Sequence, residues 1–437
     1  MRRRAVQLEL FDTVDVGTIE LEDIFSAYYE CRKNKRRTIN ALAFEADFEE
    51  NLIRLWRDIN DRSYMPGRSI AFIVSEPVQR EVFAADFRDR IVHHLIINKL
   101  NHLFEAQFIN DSYSCREGKG TQYGVNRIAE FIRLCSENYT KDCYILKMDI
   151  QSFFMSIDKA ILFRKLREFV LENYHESDRL LLIELIYKVI FNNPEDNCYI
   201  KGRRSDWKGL PKSKSLFTVA KGKGLPIGNL TSQIFANFYL NFFDKFVVET
   251  CGVKYYGRYV DDFVIVHEDK AFLLGLKDRL KEFIQRELAM TLHPKKVYLQ
   301  HYTKGVKFIG AVIKPNREYI GNRTKGNLYA RIRGYNEELF RQPKQAPKML
   351  EQVAASINSY LGFMIHYKTF KIRRRLLTEV LAPGWRKYLE IAPDMSKVTI
   401  KPAYKPVAKA VNKLKNKKKR RKKFMRPLRA VDSLMGG

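Results

Sequence analysis

Apolar residues recur at helical spacing from Ala43 to Arg57, in "FEADFEENLIRLW", and a turn follows at "SYMPGRS". "SIAFIVSEP" then reads as a strand, and "FRDRIVHHLIINKLNHLFEAQF" as a long helix. "DCYILKMDIQSFFMSID" reads as a strand running into a turn. Residues 192–223 are polar and basic with Gly and Pro, which predicts a surface excursion facing a polyanion. "GLPIGNLTSQIFANFYLNFFDKFV" starts as a Gly-rich loop and becomes a helix. Tyr255–Val260 and Phe263–His267 read as the strands of a hairpin with Asp261 and Asp262 at its turn. A helix over Lys270–Ala289 follows, then a second hairpin from "GVKFIGAVIKP" and "REYIGN", then helical sequence over 325–385. Residues 1–40 read as a short leader ending in "CRKNKRR".

Composition narrows the picture. The 437 residues are 45% apolar and 13% aromatic, enough for a packed core. No run approaches the 18 apolar residues of a membrane helix, and the basic N-terminus lacks the apolar stretch of a secretory signal. The six cysteines are scattered, without a C-x-x-C pair or His partners, which argues against zinc and a disulfide framework and fits a reducing cytoplasm. The adjacent His93 and His94 lie in an apolar helix and read as structural. Lys and Arg number 79 against 50 acids, a net +29. Residues 401–437 hold 14 of those cations and one acid, Asp432, so body and tail are both basic. Such an excess favours nucleic acid through counterion release.

The chemistry starts from two acidic strand ends. A Y-x-D-D string alone fits an ordinary turn. However, "YILKMDIQSFF" is a second apolar strand, and it ends in Asp149. If both strands share a sheet, Asp149 and Asp261 come within reach of common metal ions. All-oxygen ligands suit Mg²⁺, which keeps several waters and binds one or two carboxylates plus substrate phosphates. Two such ions stabilise both the attacking and the leaving oxygen in phosphoryl transfer.

These strings together resemble a reverse transcriptase, in motif order, over roughly residues 41–385. "MDIQSFF", "GLPIGNLTSQ" and "YVDD" resemble the three palm motifs, "LHPKKV" the lysine-bearing motif and "KFIG" the primer grip. "REVFAADFRDRIVHHLI" and "DSYSCREGKGT" resemble finger motifs of intron-encoded bacterial enzymes. The resemblance implies an α+β right-hand polymerase with fingers, a palm built on an antiparallel sheet, and a helical thumb. Its expected boundaries are an N-terminal extension over 1–40, fingers over 41–110 and 160–228, palm over 111–159 and 229–322, thumb over 323–395, and a basic flexible tail over 396–437. "SDWKGLPKSKSLF", "GLPIGNLTSQIFAN" and "INSYLGFMIHYKTFKIR" are further similar to reverse transcriptases of diversity-generating retroelements. Those enzymes copy a template RNA with errors opposite adenines. The replacement of a Gln by a branched apolar residue, here Ile227 before Gly228, is linked in the family to low fidelity.

By resemblance, Asp149 and Asp261 hold two Mg²⁺ ions with the Ile150 carbonyl as a third contact, and Asp262 belongs to the same metal-binding set, nearer the primer terminus and less directly bound. Arg80 resembles the finger arginine that grips the triphosphate. Phe154, rather than Phe153, has the spacing of the aromatic that blocks a ribose 2′-OH, and Ile227 and Gly228 complete the nucleotide-binding set. Lys296 resembles the general acid for departing pyrophosphate, with Lys295 the adjacent alternative. Phe308, Ile309 and Gly310 resemble the primer grip. Arg90 contacts template or pairs with Asp86 or Asp89. Arg116, Lys119 and the tail cluster Lys417, Lys418, Lys419, Arg420 and Arg421 are expected nucleic-acid contacts, the tail also reading as a docking element for a protein. The implied partners are template RNA, primer, cDNA, dNTPs and a small helical accessory oligomer, with no membrane, in a bacterial or phage-encoded cytoplasmic setting. A phage-defence or intron-type reverse transcriptase is the neighbouring enzyme reading, and a non-catalytic RNA-binding scaffold of the same fold the other.

Overall fold

The computed structural model describes residues 17–33, 38–75 and 78–405. Tail residues Lys417–Arg421 lie outside them. The chain divides into two compact units, residues 1–318 and 319–437.

In the first unit, β1 (Ser69–Val74) pairs antiparallel with β2 (Arg80–Ala84). β3 (Tyr144–Asp149) comes later, and β4 (Cys198–Ile200) joins β1 in parallel. β5 (Tyr255–Tyr259), β6 (Asp262–His267) and β7 (Tyr298–His301) assemble on β3 in the order β5-β6-β3-β7. Every pairing in this sheet is antiparallel. β8 (Val306–Phe308) and β9 (Ala311–Lys314) form a tight hairpin, and β10 (Arg317–Ile320) adds to β9. The second expected hairpin is thus three-stranded.

The core that carries this sheet is helical. Phe87–Gln107 and Leu230–Lys245 lie side by side, and their apolar residues show the broad burial of helices covered on several faces. The residues expected to form a leader contain a core helix, Leu21–Arg32. It buries Ile24, Ala27, Tyr28 and Cys31, the i, i+3, i+4, i+7 stripe of an amphipathic helix. Lys99 ties it down by bridging Asp23 at 2.7 Å and Asp178 at 2.8 Å.

The second unit packs Asn322–Arg341 against Ala346–Met364 through Leu328, Ile332, Leu350, Val353 and Ile357, with fully buried Trp385 in the same core. β11 (Leu389–Ile391) and β12 (Val398–Ile400) close it as an antiparallel pair. Val398 is buried, so the folded chain continues past the boundary expected at residue 396. Alternating apolar residues in this short stretch outweigh the basic composition that follows. Among the described residues no helix is long and apolar enough to cross a membrane.

One buried acid sets a pH dependence. Asp89 accepts hydrogen bonds from the Tyr64 hydroxyl at 3.0 Å and the Gly67 amide at 2.8 Å. Burial still outweighs these bonds and pushes its carboxyl up to about 6. The unfolded value is about 3.9, so the folded chain holds this proton more tightly. The stabilisation is full below pH ~4 and is lost as the pH rises through about 6. Asp89→Asn is therefore expected to gain on the wild type by a few °C in melting temperature between pH 4.5 and pH 7, in parallel thermal melts. A pH-independent difference between the two proteins would remove Asp89 as the cause.

Candidate active site

The register of the antiparallel sheet brings the acids together. Asp149 at the end of β3 is the direct partner of Asp262 at the start of β6, and Asp262 also pairs with Tyr259 of β5. The β5–β6 turn is consequently Val260–Asp261, one residue earlier than the expected Asp261–Asp262. The ladder captures Asp262 on both sides, so Val260 must turn the chain. It does so at φ +56°. A two-residue turn with positive φ only at its first central position has the pattern of type II′, where Gly is the usual occupant. Valine, branched at Cβ, is unfavourable there.

Across the turn, the Ile150 amide donates to the Asp261 carbonyl at 3.1 Å, tying the two acidic strand ends together. The Asp261 carboxyl is pushed up to about 6, first by burial and then by the negative charge of Asp149, with Lys296 opposing. Burial also raises Asp262, against the pull of Lys147, whose Nζ is 2.8 Å from Asp262 Oδ2. Lys296, half exposed, donates to both oxygens of Asp149 at 2.9 Å. It stands as the counter-charge of Asp149. A general-acid role requires Nζ to exchange that carboxylate for a leaving phosphate. Lys295 uses its backbone amide on the His293 ring and has no side-chain contact with the acids.

The donors at this end of the sheet are all carboxylate oxygens, the type a hard divalent cation takes. Asp261 carries like charge from Asp149 without an ion pair of its own, a crowding that a bound cation would relieve. The fit is in donor type. Among the described residues no group of three or more His, Cys, Asp or Glu is gathered closely enough to hold a metal. Lys296 and Lys147 occupy Asp149 and Asp262 instead.

A second wall comes from the loop 224–229. Gly228 has φ +120°, and a Cβ there would lie 2.7 Å from Val82 Cγ1 and 3.2 Å from the Phe83 carbonyl. Only glycine lets the loop approach β2 this closely. The Phe83 amide donates to the Ile227 carbonyl at 2.9 Å, and Asn229 Oδ1 accepts from the Ala85 amide at 3.1 Å. Ile227 is half-buried against the small core cluster formed by Ala71, Phe83, Met155 and Leu216. The Leu225 amide donates to the Phe154 carbonyl at 2.9 Å, joining this loop to the turn after Asp149. Phe153 is a core residue, 3% exposed, whereas Phe154 is half-buried and meets its ring edge-on at 5.2 Å. Arg80 is exposed at the start of β2, near enough to lower the Tyr259 phenol against the rise that burial causes.

Phe308 is buried, its ring centroid 6.4 Å from that of Tyr113 in an edge-to-face arrangement. Ile309 and Gly310 both take positive φ, +46° and +81°, the pattern of a type I′ turn between β8 and β9. Arg116, expected on nucleic acid, turns inward. It donates to Glu105 at 2.8 Å and to the carbonyls of Ile109 and Ser112, and its side chain is 7% exposed. Lys119 binds the Asn110 carbonyl at 2.7 Å, and Arg90 donates to the Ala85 carbonyl at 2.8 Å rather than to Asp86 or Asp89. These three cations spend donors on the loops that shape the unit.

Two acids escaped the sequence reading. Glu81 in β2 is 1% exposed and accepts from Trp207 Nε1 at 2.6 Å, Ser215 Oγ at 2.6 Å and the Leu216 amide at 2.7 Å. It anchors the basic excursion over 192–223 to the sheet. The available signal was alternation, since Glu81 shares a strand face with Phe83. Asp244 is fully buried and pairs with Arg258, fully buried in β5. A lone acid in the apolar helix "FANFYLNFFDKF" and an Arg between strand tyrosines were the traces it left in sequence.

Residues 80–313 match the family model described as reverse transcriptase (RNA-dependent DNA polymerase). Protein YkfC of Escherichia coli (strain K12) is 22% identical over 278 residues, which cover 56% of this chain and 66% of YkfC. Apo telomerase from Candida tropicalis, truncated from its C-terminal domain, aligns at TM-score 0.43 with 15% identity, over 59% of this chain and 56% of that one. Telomerase from Candida albicans, in complex with a fragment of telomeric RNA, aligns at TM-score 0.42 with 11% identity, over 71% of this chain and 57% of that one. The chain thus covers less than two thirds of each.

Proposed function

The chain belongs to the reverse transcriptase family, whose model spans more than half of it, and from that premise we propose that it is an RNA-directed DNA polymerase. Its fold is the α+β right-hand polymerase fold of that family. The observation that carries the activity is the joining of Asp149 and Asp261 at one end of the antiparallel sheet, with Asp262 in register beside them.

In this reading Asp149 and Asp261 would hold divalent ions, Mg²⁺ by donor type, with the Ile150 carbonyl as a further oxygen donor. Bound there, such ions would supply positive charge where the attacking 3′-oxygen of a primer and the leaving pyrophosphate develop negative charge. The 3′-oxygen bonds to the α-phosphorus of the dNTP as the bond from that phosphorus to the oxygen bridging to the β-phosphate breaks, and the proton of the 3′-hydroxyl passes to solvent water. Asp262, neutralised in part by Lys147, keeps the hairpin in register and faces the primer end. Lys296 balances Asp149 and serves as proton donor to the leaving group after exchange. Exposed Arg80 offers a fork of donors to the triphosphate. Phe154 is the ring against the sugar, its half-burial fitting a surface-lining role better than the core position of Phe153. The Ile309–Gly310 turn is the primer grip. The excursion anchored by Glu81 carries Lys201, Arg203, Arg204, Lys208, Lys212 and Lys214 on exposed positions and is the nucleic-acid face we favour over Arg116.

The biological setting we propose is a diversity-generating retroelement, with a template RNA and a small helical accessory oligomer as partners. Ile227 supports it, because its apolar side chain packs against the small core cluster that contains Phe83 and offers no hydrogen bond to an incoming sugar. The test is to supply primed RNA, dNTPs and Mg²⁺ and to sequence the cDNA. Errors concentrated opposite template adenines are expected. Accurate copying would point to a defence or intron enzyme, and RNA binding without product to a scaffold. Ile227→Gln is expected to lower misincorporation opposite adenine about 3–10-fold, the worth of one net hydrogen bond, with yield little changed. An unchanged error spectrum would refute the role given to Ile227.

A further inference from the structure

The turn that carries Asp261 is built against the preference of its own residue. Valine at φ +56° is held in a region unfavourable for a β-branched residue, one that persists only where the surroundings over-determine it. Asp261 follows directly, so any relaxation of Val260 moves Asp261 relative to Asp149.

The surroundings that over-determine it converge on Arg258. Its Nη1 donates to the Val260 carbonyl at 2.9 Å. The remaining donors are fixed behind it. Nε and Nη2 grip the two oxygens of Asp244 at 2.7 and 2.6 Å, Nη2 reaches Ser112 Oγ at 3.3 Å, and Nη1 is 3.4 Å from Asn237 Oδ1. Two of these partners are themselves held. Tyr256 donates to Asp244 at 2.6 Å, and Asn237 donates to the Ser114 carbonyl at 2.6 Å. The Arg258 backbone is clamped as well, its amide on the Asp111 carbonyl and its carbonyl on the Tyr113 amide, both at 2.9 Å. Helix Leu230–Lys245 and the segment 111–114 therefore meet on one carbonyl, while Ile150 holds the other side of the turn.

We infer that Arg258 is a positioning residue: braced by Asp244, it holds the Val260 carbonyl so that the strained turn presents Asp261 beside Asp149. This rests on the polymerase reading above. Arg258 touches no substrate in that reading. An ion pair kept only for stability would have no need to end on the carbonyl adjoining the acid.

The test uses the full chain in primer extension with Mg²⁺. Lysine at 258 keeps a charge but cannot grip Asp244 with two donors while reaching Val260 with a third. Arg258→Lys is expected to remain folded and to lose about 10–100-fold in kcat, the scale of a misplacement of about 1 Å, with KM for dNTP little changed. Glycine adopts positive φ freely. Adding Val260→Gly to Arg258→Lys is therefore expected to restore at least about half of the lost factor on a logarithmic scale, a coupling that independent sites do not show. If Arg258→Lys fails to fold, Asp244→Asn, alone and with Val260→Gly, reads the same coupling. Wild-type activity with an unaffected R258K, or a loss that V260G does not restore, overturns the inference while leaving the polymerase reading standing. A wild type that makes no cDNA on any primed template fails the polymerase reading, and this inference falls with it.

Discussion

Asp261→Asn is expected to lower cDNA synthesis by about a thousandfold or more while the protein stays folded. The loss follows from removing a charged oxygen donor where a bound cation would stabilise several kcal/mol of transition-state charge, and each 1.36 kcal/mol is worth tenfold in rate. The stability outcome has the opposite sign. In the folded chain the Asp261 carboxyl sits at about 6, raised by burial and by Asp149. Its charged form is thus a cost that appears as the pH rises through that value. At pH 7.5 without divalent ions the neutral amide escapes this cost, so the variant is expected to melt at or slightly above the wild-type temperature. Mg²⁺ should raise the wild-type melting temperature by ligand linkage and leave the variant nearly unmoved. Substantial polymerisation by Asp261→Asn, or an equal Mg²⁺ shift in both proteins, would remove Asp261 from the metal-binding role.

The largest stability effect is expected at Asp244→Ala. Asp244 and Arg258 are both fully buried, and Asp244 also accepts the Tyr256 hydroxyl. Removing one partner leaves an uncompensated charge in the core, a loss of about 3–5 kcal/mol. In thermal or urea melts Asp244→Asn should lose stability too, because neither variant compensates the Arg258 charge, and it should be milder than Asp244→Ala by about one hydrogen bond, because its amide oxygen still accepts. The double variant Asp244→Leu with Arg258→Met should recover much of the stability, because well-packed apolar groups often replace a buried ion pair without cost. Recovery of stability without recovery of turnover would separate the folding role of the pair from its effect on the turn. A mild Asp244→Ala, within about 1 kcal/mol of wild type, would mean that the pair is relieved by water or by local rearrangement.

The elements were legible where one periodicity ruled a long stretch. Phe87–Gln107 and Lys270–Leu288 follow the expected helices closely, because apolar positions repeat at the helical period across each of them. The acidic strand ends were legible too, as charges where an apolar strand should have none. Local reading failed where a distant partner decided the outcome. The leader helix Leu21–Arg32 is fixed by the core it joins and by Lys99, which lies far along the chain. Arg116 was expected on nucleic acid from its place in "DSYSCREGKGT", whereas Glu105 and two carbonyls fold it inward.

By itself, the sequence determined the family and the residues that stand out within it. Asp149, the Asp261–Asp262 pair, Lys296 and the Gly228 loop are fixed by residue type and order, and each has a local physical reason to stand out. Only the tertiary structure decided how these groups face one another. The pairing of Tyr259 and Asp149 with Asp262 moved the turn onto Val260, which no local propensity favours. The bracing of that turn by Arg258, Asp244, Asn237 and Ser112 comes from residues up to 146 positions apart. Such contacts depend on loop closure and packing, which residue type and spacing do not encode, and strain at one residue holds only when the rest of the fold supports it.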